Sequence, residues 1–190
     1  MNSVLVLGTD EFFGLTLCEN LLDEGFEVHA VLLPTQVKEK QNLIEERLLW
    51  FGRNEHFHVE PNEKSQEYKR IYIIYSPELA DDVWKDREHP IFLLVYDHEI
   101  GQVRLNEEEQ KHVKIIPLPK MYGPWDMNYK KERPDDCFFV NDVADKLVEE
   151  TSDWKRKKFL AEIEKKTSEE EADKLIEQWQ RQIPTKIDKI

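Results

Sequence analysis

Val4-Leu5-Val6-Leu7-Gly8-Thr9-Asp10-Glu11-Phe12-Phe13-Gly14 is the stretch whose reading decides the fold. Four consecutive apolar residues, two of them β-branched, form a strand buried on both faces. Gly8 ends the run, and Phe13, Leu17, Leu21 and Leu22 then recur at helical spacing up to Gly25. A second short apolar run, Val28 to Leu33, follows. Strand, glycine turn, helix and second strand are the opening βαβ unit of a doubly wound parallel sheet.

Further short apolar runs extend that pattern. Thr35 is a candidate cap for a helix over 36–51 that buries Val37, Ile44, Leu48 and Phe51, with Gly52 at its carboxyl end. His56 to Val59, closed by Pro61, predicts a third strand, and Ile71 to Tyr75 a fourth. Ser76-Pro77-Glu78 opens a helix to about Glu88 with Leu79, Val83 and Trp84 inward. Ile91 to Val95 is a fifth strand, and 107–111 has room for a short helix. Ile115-Ile116 is the core of a sixth strand cut short by Pro117 and Pro119. The segment from Tyr122 to Cys137 reads as irregular, and a helix begins at Asn141 or Asp142. The expectation is an α/β Rossmann-like sheet of about six strands over residues 1–150. Residues 151–190 then form two amphipathic helical segments, packed on the sheet or used in dimerisation. In the second, Ser168 to Glu171 is a capping box, and Ala172, Leu175, Ile176, Trp179 and Ile183 form the apolar stripe.

Three stretches resemble the extended short-chain dehydrogenases, the NAD-dependent epimerase/dehydratase family. Gly8 to Gly14 is similar to that family's Gly-x-x-Gly-Phe-x-Gly loop. Lys120-Met121-Tyr122-Gly123-Pro124 resembles its Asn-Val-Tyr-Gly-Pro segment, and Phe139-Val140-Asn141-Asp142-Val143-Ala144 its His-Val-Asp-Asp-Val-Ala helix start. The resemblance implies a dinucleotide site at Gly8, Thr9, Asp10, Glu11, Phe12, Phe13 and Gly14. It also implies a crevice at the strand ends that includes Tyr96, Asp97, His98 and Tyr122.

The residues themselves argue that this site is vestigial. In such a loop the first glycine makes the turn, the second lets the backbone approach a diphosphate, and the third lets helix and strand pack closely. Glu11 stands at the second position and puts a charged side chain in the diphosphate's place. Asp10 adds another, and both acids suit an empty helix amino terminus, by about 0.3–1 kcal/mol each. After the second strand, Val31-Leu32-Leu33-Pro34 offers no acid for a ribose and no arginine for a 2′-phosphate.

The chemistry implied by the resemblance lacks its parts as well. The family uses a Ser or Thr after the fifth strand and a Tyr-x-x-x-Lys on the following helix. Tyr96 stands where the serine belongs, and no Tyr-x-x-x-Lys occurs; Tyr129 to Arg133 comes nearest and is followed by Pro134. The twenty residues between Gly101 and Tyr122 cannot hold the long catalytic helix, and only fifteen separate Pro124 from Val140 where substrate elements belong. No catalytic residue is assigned. The cofactor expectation is none, with NAD(P) the one this frame would take.

The chain of 190 residues is 39% apolar and 35% charged, with net charge −13. Residues 151–190 are nearly balanced, ten basic against nine acidic, so the acid excess lies in 1–150 and disfavours nucleic acid. The basic run Lys155 to Lys158 reads as a solvated helix face. Cys18 and Cys137 do not make a disulfide framework, and Cys18 reads as an inert core thiol. The amino-terminal apolar run is strand-length, so neither a signal peptide nor a membrane span is expected, and the expected compartment is the cytoplasm. His56, His58, Asp97, His98 and Glu99 could together ligate a metal, but polar clusters at strand ends are ordinarily solvated turns, and no metal ligand is assigned.

Three functional readings follow. The first is a degenerate, non-catalytic Rossmann protein acting as a binding or regulatory module for a protein or a small nucleotide. The second is an NAD(P)-binding enzyme or redox sensor that recruits Tyr96, Asp97, Tyr122 or Tyr129. The third is a structural homodimer built on residues 154–183.

Overall fold

The computed structural model describes residues 2–60, 68–77 and 90–182. Six parallel strands form one sheet: β1 (Ser3–Thr9), β2 (Glu27–Leu32), β3 (Phe57–Val59), β4 (Arg70–Ile74), β5 (Ile91–Tyr96) and β6 (Val113–Leu118), in the order β3-β2-β1-β4-β5-β6. The strand order reverses direction between β1 and β4, the switch point at which doubly wound sheets open a crevice. The sheet is therefore Rossmann-like. The helix expected over 78–88, with Leu79, Val83 and Trp84, lies outside the described residues, as do Pro61 and Ile183.

Alternation along the central strands sorts their side chains onto two apolar faces. Val4, Val6, Tyr72, Ile74, Phe92 and Leu94 meet α1 (Phe13–Asp23) and α3 (Val140–Glu150), which pack against each other. Leu5, Leu7, Ile71, Ile73, Leu93 and Val95 form the other face, with Tyr68 and Val103 against it. Gly8 does not end the strand: β1 continues to Thr9, and Gly8 takes φ +70°, a left-handed conformation that suits glycine, where the register to β2 shifts between Leu7 and Thr9. A Cβ on Gly14 would lie 2.8 Å from the Thr9 Cα, so the missing side chain is what lets α1 sit against β1.

Several expectations are corrected. β6 runs through Pro117, which pairs with Val95. It is an edge strand with an alternating burial pattern, so proline there removes no hydrogen bond to a further strand. The irregular segment after it is pinned at both ends by a short parallel pair, β7 (Met121–Tyr122) with β8 (Phe138–Phe139). Helix α2 spans Lys38–Phe51 and buries Leu43, Ile44, Arg47 and Phe51, whereas Val37 is exposed.

The first of the two carboxyl-terminal segments is not a helix. Residues 151–168 run as turns that press Trp154, Phe159, Leu160 and Ile163 onto the α1/α3 face of the sheet. Trp154 meets Phe92 edge-on at 5.3 Å, and Lys114 stands 4.4 Å above its ring. The exposed basic run Lys155 to Lys158 is therefore loop rather than helix face, with Arg156 bonded to the buried Glu150 at 2.6 Å. The second segment is α4 (Glu169–Gln182), and one half of its expected capping box is present: Ser168 Oγ accepts the Glu171 amide at 3.2 Å. Ala172, Ile176 and Trp179 are buried, the latter two with Leu43 of α2 against the side chains of Tyr122, Trp125, Met127 and Tyr129, whereas Leu175 of the expected stripe is exposed.

Candidate functional site

The loop between β1 and α1 is closed by its own side chains. Asp10 Oδ1 accepts the amides of Phe12, at 3.1 Å, and Gly14, at 2.7 Å. These amides, of the residue that caps α1 and of its second residue, lie where a helix exposes donors and the positive end of its dipole. The other Asp10 oxygen accepts the Tyr96 hydroxyl at 2.9 Å, tying the end of β5 to the loop. Both carboxylate oxygens are thus engaged. The seat of a phosphate at a helix start is taken by Asp10, not by Glu11 as the glycine spacing implies. Glu11 turns aside and pairs with Lys40 at 3.3 Å. Burial pushes the Glu11 carboxyl above the ordinary glutamate range, partly offset by its backbone hydrogen bond and by Lys40.

The loop carbonyls face Arg47. Its guanidinium donates to Glu11 O at 2.9 Å, Phe12 O at 2.8 Å, Thr16 Oγ1 at 2.9 Å and Glu19 Oε2 at 2.7 Å. Burial works against its charge, and the Glu19 carboxylate and these acceptors offset the cost. The Trp125 ring lies 5.3 Å from the guanidinium and meets Trp179 of α4 at 6.0 Å. Trp125 itself holds φ +71°, the left-handed region, where a bulky side chain is rare. The carboxyl-terminal helix is thereby connected to the amino-terminal loop through one buried arginine. A signal for this was present in the sequence: Arg47 falls on the same helical stripe as Ile44 and Phe51.

The other residues of the expected crevice divide into two groups. Tyr96 stays with the loop, and His98 stacks on it at 6.0 Å from the 3₁₀ turn Asp97–Gln102. The Tyr96 hydroxyl is pushed well above its ordinary pKa by burial and by the Asp10 carboxylate. Tyr122 belongs elsewhere. It borders a cavity of about 320 Å³ with Lys131, Arg133, Asp142, Lys165 and Thr167. Arg133 lies 4.3 Å over its ring and pairs with Asp173 of α4, while one of its nitrogens, Nη1, is buried with no hydrogen-bond partner among the described residues. Burial raises the Tyr122 hydroxyl too. Asp142 is committed to the helix packing, accepting the Thr167 hydroxyl at 2.7 Å and its amide at 3.2 Å.

The combination of His56, His58, Asp97, His98 and Glu99 does not assemble. His58 lies on the edge strand β3, and residues 97–99 follow β5, four strands away or about 19 Å. His56 precedes β3. Both thiols are free and buried, and burial pushes each above its ordinary pKa.

No family model matches the chain. Over 193 aligned positions it is 39% identical to the uncharacterized protein YjaV of Bacillus subtilis (strain 168), and the alignment covers 100% of both chains. The chain belongs to the YjaV family. Its fold has solved counterparts at low identity. UDP-glucuronic acid 4-epimerase from Bacillus cereus, solved with NAD and a fluorinated UDP-glucuronic acid, superposes with TM-score 0.52 at 15% identity, covering 84% of this chain and 76% of that one. Gre2 from Candida albicans, solved with NADPH, gives TM-score 0.50 at 12% identity, covering 84% of this chain and 77% of that one. These likenesses show the Rossmann-like fold. Among the described residues no helix is long and apolar enough to cross a membrane.

Proposed function

We propose that this YjaV-family chain is a degenerate, non-catalytic relative of the epimerase/dehydratase group that acts as a binding or regulatory module. The observation that carries the proposal is the double engagement of Asp10, with α1 amides on one oxygen and the Tyr96 hydroxyl on the other. A dinucleotide diphosphate would need those same amides and would meet a carboxylate instead. The strand-end position for a ribose partner is apolar, and the Leu33 amide is already bonded to Thr9 O at 2.9 Å. These residues do not fit NAD(P).

The acid–base chemistry of the group also lacks support here. A tyrosine that donates and accepts protons near neutral pH needs a neighbouring cation to lower its pKa. Tyr96 is shifted upward by burial and faces a carboxylate, and for Tyr72 and Tyr122 burial outweighs the lowering effect of Arg70 and Arg133 respectively, so both are shifted upward too. The cavity beside Tyr122 and Arg133 is the place this reading gives to a small polar ligand, its size being at the lower end for such sites. Of the apolar stripe of α4, Ala172, Ile176 and Trp179 are buried within the chain while Leu175 is exposed, which favours a packing role over dimerisation for the buried part.

Thermal unfolding of the full chain with millimolar NAD, NADP or UDP-glucose tests the reading. A ligand at a hundred times its dissociation constant adds about 2.7 kcal/mol, which for a chain of this size is a rise of about 5–10 °C. The expected result is no rise with any of the three. A rise with NAD or NADP overturns the reading in favour of a nucleotide-binding enzyme or sensor.

A further inference from the structure

At the edge of the sheet farthest from β6, the parallel register sets His29 of β2 directly beside His58 of β3. Alternation puts Glu27 on the same side of β2 as His29. The two imidazoles stack with centroids 4.8 Å apart and planes 28° from parallel. His58 Nε2 stands 3.4 Å from Glu27 Oε1, and His29 Nδ1 stands 3.1 Å from Glu60 Oε1. One potential ligand atom from each of Glu27, His29 and His58 falls within 4.8 Å of the others.

The structure assigns to Glu27, His29 and His58 a binding site for one divalent transition metal, of which zinc is the best match. Two imidazole nitrogens and one carboxylate oxygen are a donor set that zinc takes, with a fourth position left to water. Ligand atoms about 2.0–2.1 Å from a tetrahedral zinc lie about 3.3 Å apart. The observed separations need only modest closing, and the two side chains that would move, His58 and Glu27, are the partly exposed ones, at 39% and 28%.

The surroundings resemble the support that metal ligands require. The Ser3 hydroxyl donates to Glu27 Oε2 at 2.7 Å, so it turns the other oxygen, Oε1, toward His58. Glu60, buried beside His29, takes the ring N–H that faces away from the ion, fixing the tautomer and leaving the second nitrogen as the ligand. The Tyr68 ring meets His29 edge-on at 5.4 Å and limits its rotation.

The test uses the full chain stripped with chelator and titrated with Zn²⁺ by calorimetry and with Co²⁺ by visible absorption. One saturable equivalent per chain is expected, with cobalt ligand-field bands of a four-coordinate site. His58→Ala should weaken zinc binding at least about 100-fold and Glu27→Gln at least about 10-fold. The nearby His56→Ala should leave it unchanged. His58 and Glu27 are chosen because both are partly exposed, and circular dichroism confirms that each variant folds. Absence of a saturable site, or zinc affinity unchanged in His58→Ala and Glu27→Gln, overturns the assignment. Loss of binding in His56→Ala instead would overturn it equally.

Discussion

Two carboxylate-bearing sites lie on this sheet, and they are built on opposite plans. At the crevice, Asp10 spends both oxygens on the chain's own donors, and Arg47 spends its guanidinium on the loop's acceptors. At the β2/β3 edge, imidazole nitrogens and a glutamate oxygen gather without a cation among the groups described there. The crevice meets its loop acceptors from within, although Arg47 Nε has no hydrogen-bond partner among the described residues; the edge gathers potential ligands. The difference teaches that position in a Rossmann sheet does not decide where a ligand goes. The inventory of unmet hydrogen-bonding and coordinating groups does.

If the crevice is structural, breaking it should cost stability. Arg47→Ala is expected to have the largest effect, about 3 kcal/mol by denaturant unfolding, because it strands two loop carbonyls in a site closed to water. A loss under 1 kcal/mol would mean that the guanidinium is dispensable and the site still open. Asp10→Ala should cost about 2 kcal/mol, since it leaves α1 amides and the Tyr96 hydroxyl without an acceptor. Gly14→Ala should cost about 1–2 kcal/mol despite alanine's better helix propensity, because the contact is with the Thr9 backbone.

Smaller effects sharpen the contrast. Glu11 is held above its ordinary pKa by burial, so the folded state binds its proton more tightly than the unfolded chain does. Its neutral form is therefore fully compatible with the fold at acid pH, and stability is lost as pH rises through the raised value. Glu11→Gln should be neutral near pH 4 and stabilising by less than about 1 kcal/mol near pH 7, measured as the difference between two unfolding curves. An equal effect at both pH values would remove ionisation as the cause. Smallest of all, His58→Ala without metal should stay within about 0.5 kcal/mol, as an edge side chain with no structural duty does. A large loss there would make the histidine pair a structural contact.

Much of the fold was legible because it is local. The run of apolar residues before Gly8, the left-handed conformation that Gly8 suits and the gap that Gly14 leaves are all properties of neighbours in sequence. The candidate site was less legible. Spacing pointed to Glu11 as the residue in the diphosphate's place, whereas Asp10 takes the amides, because which of two adjacent acids folds back over a helix start depends on Arg47 and Tyr96, 36 and 86 residues downstream. Pro117 looked like a strand end because sequence does not reveal which strand is an edge. Trp154 to Ile163 looked helical because its apolar spacing is the same whether a helix or a looping chain delivers those side chains to the sheet.

The amino-acid sequence by itself determined a parallel α/β sheet, a glycine in a left-handed conformation near the end of its first strand and an excess of acidic residues. Those follow from periodicity, backbone sterics and length, which act over a few residues. Only the tertiary structure decided that the loop is satisfied from within, that Arg47 joins it to Trp125 and Trp179, and that His29 and His58 share one face. Each of these is a meeting of residues distant in the chain, and strand order and register, not local preference, bring them together.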